Sequence, residues 1–255
     1  MKRSLSARIG PWILLVVLIV LWEAGESLGV PDFVLPKLSK VARIFLDKEV
    51  LALYLSHGWV TLQEALLGLV IGGGLGFVAG VALTESRTLY NTFYPYIVAL
   101  QCMPKVALAP LLVIWLGFGI SSKVTVVALL CFFPVLVNTI SGIRGVSTET
   151  RELFQAIRAS RFTTLTHLLI PSALPSILSG VEIAVVVSLL GAIVGEFVGA
   201  EKGLGVLLQQ AQFQMNIPGV FAVLLVLAVL GVIFNIAVRT LRRRVLFWIA
   251  GEKAG

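Results

Sequence analysis

Few side chains in this sequence have the type and spacing that bond-making chemistry requires. A phosphate-binding loop needs a glycine-rich turn followed by Lys and Ser or Thr, so that backbone N–H groups cradle the phosphates. No such run occurs, and the chain is not expected to hydrolyse ATP. His57 and His167 are the only histidines and fall in different loops, which argues against a nucleophile–base pair and against a histidine metal site. Cys102 and Cys131 lie in apolar runs without metal spacing and read as two packed thiols. What remains is a few charges in apolar surroundings. Lys105 falls inside an apolar stretch interrupted by Pro95, Pro104 and Pro110. A lysine at membrane depth costs about 2.5–3.5 kcal/mol on insertion scales, so it must face protein or water. Two readings follow. Lys105 is an electropositive point on a solute path, with Gln101 and Glu196 as further path candidates, or it pairs with an acid such as Glu64 or with carbonyls freed by the prolines. The second is preferred. Glu182 and Glu196 lie near opposite ends of an apolar run, where interfacial water would solvate both.

The elements that carry these residues belong in lipid. Hydrophobic residues make up 58% of the 255, and charged residues 13%, about half the share usual in soluble domains. The expected class is an all-α membrane protein, with room for about six spans and short loops. The net charge of +7 sits in the loops and reads as a positive-inside bias, with no nucleic-acid partner implied.

In chain order, Lys2, Arg3 and Arg8 precede an apolar run over residues 11–21, the outline of a secretory signal. Residues 23–26 make a poor cleavage site and apolar residues resume to Val30, so an uncleaved first span is preferred. Residues 31–56 predict an extended entry and an amphipathic helix at the outer interface, although Lys37, Lys40, Arg43 and Lys48 run against the charge rule there. Residues 57–84 predict the second span. Its Gly68, Gly72, Gly76 and Gly80 recur every fourth residue, a strip that lets another helix approach closely, from the same bundle (preferred) or from a second copy. The third span, residues 93–118, is broken by its prolines, and broken helices at membrane depth line cavities. An outer hairpin at 120–123 leads to a fourth span, 124–143. The fifth covers 176–198, and a partly polar outer segment, re-entrant or surface-lying, follows over 199–218. The sixth, 219–238, ends at Arg239, Arg242, Arg243 and Arg244. With six spans and both termini cytoplasmic, inner basic residues outnumber outer ones by about two to one.

The longest polar, basic interval is residues 148–175, with Arg151, Arg158 and Arg161. Leu153, Phe154 and Ile157 share one side of a helix there, a stripe that needs a groove on another protein. This interval resembles the cytoplasmic EAA loop of membrane subunits of ATP-binding-cassette importers. Glu152 stands at the Glu position, Leu168 in the Ile place, and Ile170 with Pro171 in place of the closing Leu-Pro. Leu153 and Phe154 replace two alanines, and Arg158 replaces the glycine that permits a turn, so two short helices would run on as one or bend differently. Residues 31–41, 57–68, 100–119, 132–146 and 195–205 each resemble segments of one permease subfamily, serving taurine and aliphatic sulfonates, nitrate, bicarbonate and pyrimidine-type vitamin precursors.

The resemblance implies a type I importer permease fold in the plasma (inner) membrane of a prokaryote. It implies a second permease copy, making a homodimer, two cytoplasmic ATPase subunits that bind ATP and Mg, an extracytoplasmic solute-binding protein, and no cofactor in this chain. It assigns the ATPase contact to Glu152, Leu153, Phe154, Ile157, Arg158, Ser160 and Pro171, with Phe154 and Ile157 as apolar anchors. The chain then divides into an N-terminal helix and outer amphipathic segment (1–56), a core permease domain with a cytoplasmic coupling loop at 144–175 (57–245), and a cytoplasmic tail (246–255). The competing class is an ATP-independent channel or secondary carrier.

Overall fold

The computed structural model describes residues 5–247. Lys2, Arg3 and all but the first two residues of the expected tail lie outside them. The polypeptide is helical throughout, in eleven α-helices among the described residues: α1 Leu5–Glu23, α2 Leu38–Ile44, α3 Lys48–Glu85, α4 Arg87–Cys102, α5 Ala109–Leu116, α6 Ile120–Arg144, α7 Thr148–Ala156, α8 Arg161–Thr164, α9 Ile170–Gly199, α10 Leu204–Phe213 and α11 Ile217–Val245. Four helical stretches are long and apolar enough to cross a membrane: α3, α6, α11, and the run from Arg161 to Gly199. The pair α4 and α5, bent by 82° at a short break, makes a fifth if counted as one span.

The centre is a three-helix plate of α3, α6 and α9, built on missing side chains. A Cβ at Gly72 would stand 2.1 Å from the carbonyl oxygen of Ala128, and one at Gly76 2.4 Å from that of Phe132. At Gly68 and Gly80 it would meet Val127 and Thr139 at 2.3 and 2.7 Å. The glycine strip therefore packs within the bundle, against α6, as the spacing argument prefers. A neighbouring face of α6 meets α9 in the same way, with Gly180 over Asn138 and Gly195 over Lys123, and Val127 lies between Gly68 of α3 and Gly191 of α9. Ala65, Val127, Cys131, Ala184, Val185 and Ala192 fill the gaps. Two smaller cores flank the plate. One joins α2 and the start of α3 to α10 and α11 through Val41, Tyr54, Leu207 and Val223. The other joins the ends of α6 and α7 to the start of α9 through Ile143, Leu168 and Ala173.

Several boundaries differ from the expected ones. The α3 helix starts at Lys48, nine residues before 57, so a division at 56/57 falls inside a helix. The Asp47 carboxylate accepts from the N–H groups of Glu49 and Val50 and starts the helix there; polar residues such as Lys48 and His57 do not interrupt a helix, whereas caps and breakers do. Residues 120–123 are the first turn of α6 and not a hairpin, and Lys123 is buried. The fifth span does not wait for 176: helix runs from Arg161 onward, through a π turn at Leu165–Leu169 placed just ahead of Pro171. That turn loosens the ladder where the proline ring would otherwise crowd the preceding turn. Half of the outer segment 199–218 is α10, whose Leu204, Leu207, Leu208 and Ala211 are buried. Two of the outer lysines that run against the charge rule are paired locally, Lys37 with Glu26 at 2.8 Å and Lys40 with Asp32. The Glu26 carboxylate holds the Lys37 ammonium above its ordinary pKa.

Candidate coupling surface, broken span and buried polar joint

The α7 helix begins at Ser147, whose hydroxyl accepts from Thr150 N–H at 3.3 Å. It is tied to the end of α6 by Arg151, whose guanidinium donates to the carbonyls of Ile143 and Val146. Carbonyls at a helix end have no partner in the ladder, so a guanidinium there both caps α6 and fixes the angle of α7. The helix stops through Arg158, which takes a left-handed φ of 51°. Ala159 N–H then reaches back to the Phe154 carbonyl at 3.0 Å and Arg158 N–H to that of Gln155 at 2.9 Å, the reverse-turn pattern usually built on glycine. The two short helices therefore do not run on as one. Arginine performs the glycine's turn, at a cost of about 1–2 kcal/mol.

This turn sorts the expected coupling residues. Leu153 and Ile157, 58% and 65% exposed, stand one above the other at helical spacing, and Glu152 and Arg158 are exposed beside them. Phe154 points the other way. It is half-buried against the core of Ile143, Leu168 and Ala173, so it anchors α7 to its own bundle and is not free for a partner. Ser160 caps α8, accepting from Thr163 N–H at 3.1 Å, and Pro171 sits half-buried in the first turn of α9. Phe162, 74% exposed on α8, completes the apolar surface and was not anticipated. Its position two residues after a Ser cap was the available signal.

Lys105 lies at the break between α4 and α5. Its ammonium donates to the Gln101 carbonyl at 2.8 Å and stands 4.5 Å from the centre of the Phe133 ring. In an unbroken helix that carbonyl would bond the N–H of residue 105. The lysine thus takes a carbonyl freed at the proline break, the preferred of the two readings, and a cation–π contact adds to it. Pairing with Glu64 does not occur. The Gln101 side chain is exposed, and Lys105 half-buried.

Glu64 instead belongs to a buried polar joint with Glu196. The two are 2% and 1% exposed, with Thr61 at 0%, Lys123 at 6% and His57 at 8%. Thr61 hydroxyl donates to Glu196 Oε1 at 2.6 Å and accepts from Leu204 N–H at 2.8 Å. Gly205 N–H donates to Glu196 Oε2, and His57 Nδ1 lies 3.1 Å from the Gly203 nitrogen. Lys123 ammonium donates to the Phe118 carbonyl at 3.0 Å, and Lys123 and Glu64 line one cavity. Gly203 has a φ of 139°, and a Cβ there would strike the Glu196 carboxyl at 2.1 Å. Glu196 is therefore neither solvated at an interface nor open to a path: it pins the turn before α10 to α3 and α9. Glu182 is held too, by Arg242 at 2.8 Å. The segments 57–68 and 195–205 meet at this joint.

The helical arrangement matches that of the MetNI methionine ABC transporter in inward-facing conformations, with a TM-score of 0.70 at 20% identity over 78% of this chain and 99% of that one. The fold is thus that of a type I ABC importer permease. Residues 72–247 match the family of binding-protein-dependent transport system inner membrane components, and the chain belongs to it. It is a permease subunit of an ABC importer, a multi-pass protein of the bacterial inner membrane. Similar curated proteins include the formylaminopyrimidine transport permease protein ThiX of Halalkalibacterium halodurans, 35% identical over 97% of this chain and 98% of that protein. The riboflavin transport system permease protein RibX of Chloroflexus aurantiacus is 35% identical, with 93% and 89% covered. The putative aliphatic sulfonates transport permease protein SsuC of Bacillus subtilis is 31% identical, with 92% and 86% covered.

Proposed function

We propose that this permease works as a homodimer, with six spans per copy and both termini cytoplasmic, and that two cytoplasmic ATPases binding ATP and Mg grip it through α7 and α8. The sixth span would be α1, 19 residues long and apolar from Trp12. The observation that carries the coupling assignment is the exposed apolar set Leu153, Ile157 and Phe162 on a unit braced to α6 by Arg151. A braced lever transmits force; a solvated connector needs neither the brace nor the apolar surface. ATP binds the closed ATPase dimer better than the open one, so closure draws the two levers together and tilts the bundles between inward-open and outward-open states. A solute delivered by the extracytoplasmic binding protein would then pass between the two copies near the broken span α4–α5. The solute would be a small anion of the sulfonate, nitrate or bicarbonate kind, supported by the likeness to SsuC, or a pyrimidine-type vitamin precursor, supported by the likeness to ThiX.

The test is the double variant Leu153→Asp/Ile157→Asp in the reconstituted complex. Each anchor lost from an interface is worth about tenfold in affinity. ATPase subunits should dissociate, and uptake should stop while the permease still purifies as a folded protein. Undiminished, solute-stimulated ATP turnover in the variant would rule the lever out.

A further inference from the structure

A second feature at the α7 end of the bundle is unrelated to the apolar lever. The ends of α3 and α6 and the starts of α4 and α7 enclose a cavity of about 550 Å³ lined by Thr84, Arg87, Tyr90, Arg144, Thr148 and Arg151. Its lining includes three arginines and three hydroxyl-bearing side chains, Thr84, Tyr90 and Thr148, and no carboxylate. None of these arginines takes part in the ion pairs found among the described residues. The Arg144 guanidinium carbon stands over the Tyr90 ring, 3.8 Å from its centre, a cation–π contact that uses the face of the guanidinium and not its N–H donors. Arg151 spends two donors on the Ile143 and Val146 carbonyls and keeps the rest. The positive ends of α4 and α7 add to the same field. Converging like charges repel unless something compensates them, and a tetrahedral oxyanion matches this set of forked donors and hydroxyls. Beside the cavity, α4 carries the Tyr90–Tyr94 stack and the exposed Leu89 and Phe93, the mixture of aromatic and apolar surface favoured near lipid headgroups.

We propose that this cavity binds a phosphate anion, presented either by an anionic phospholipid headgroup or by a soluble phosphate compound, and that Arg87, Arg144 and Arg151 hold it. The experiment uses the full chain with its ATPase partners, titrated with phosphatidylglycerol, with phosphatidylcholine, and with inorganic phosphate, and followed by native mass spectrometry. Tight phosphatidylglycerol adducts that weaken about tenfold in Arg87→Gln and in Arg144→Gln, with phosphatidylcholine inert, support the lipid form. Competition of those adducts by inorganic phosphate supports the soluble form. Arg87 is exposed and joins no ion pair among the described residues, so its variant stays informative if Arg144→Gln fails to fold. The proposal is overturned if neither probe responds to Arg87→Gln, or if Arg243→Gln, which removes the same single charge elsewhere, has the same effect. It is also overturned if binding appears only after the ATPases are stripped away, since the cavity would then be a protein contact.

Discussion

Replacing Gly72 by alanine tests the packing argument at its tightest point. The added Cβ would lie 2.1 Å from the Ala128 carbonyl oxygen, whereas ordinary contact begins at 3.4 Å. Two backbones must therefore separate by about 1.3 Å (3.4 minus 2.1), with no flexible side chain to yield. Overpacking of this kind costs about 1–3 kcal/mol, set against a gain of about 1 kcal/mol when alanine replaces glycine inside a helix. Gly74, two residues away in the same helix, has nothing within 4 Å of its would-be Cβ. It keeps the helical gain and meets no clash, so the two substitutions carry opposite signs. Thermal unfolding of the purified permease in detergent should place Gly72→Ala below the parent and Gly74→Ala at or above it. The separation should be a few degrees, taking about 2–4 °C per kcal/mol. Equal shifts in the two variants would falsify the interlocked plate, because propensity alone predicts no difference between them.

Phe154→Ala should lower the melting temperature by the equivalent of about 2 kcal/mol, less than a fully buried ring would lose; a variant that melts normally yet fails to hold the ATPase would return Phe154 to the outer surface. Glu196→Ala strands the Gly205 N–H in a buried site, at about 1–3 kcal/mol. Limited proteolysis should then cut within residues 200–204 faster than in the parent, and an unchanged cleavage rate would refute the pinning role. Arg158→Gly relieves the left-handed strain of about 1–2 kcal/mol but frees the unfolded chain by about 0.4–1 kcal/mol. The net expectation is a slightly more stable protein with intact transport, and a loss of stability would contradict the turn.

Features with a period or a breaker in the chain itself were readable. The fourfold glycine spacing announced the close face of α3, and Pro95, Pro104 and Pro110 announced the broken span that became α4 and α5. Which way a side chain points was less legible where two apolar demands compete. Leu153, Phe154 and Ile157 look alike in the stripe, yet only Phe154 meets the core of Ile143 and Leu168, 11 to 14 residues distant along the chain. Glu196 could not be told from a solvated carboxylate, because its partner Thr61 lies 135 residues earlier. Polar residues near helix ends misled in the same direction, shortening α3 and α6 to the parts that looked like lipid.

The interlocked plate also limits where this transporter can bend. Three rods meshed through glycine contacts and small buried side chains resist sliding or rolling past one another and move as a single slab. The compliance left to the molecule is the elbow between α4 and α5, where α4 buries none of its residues and the backbone already turns through 82°. If α7 is the lever proposed above, a pull on it would enter the slab through Arg151, and the elbow is where the chain would give.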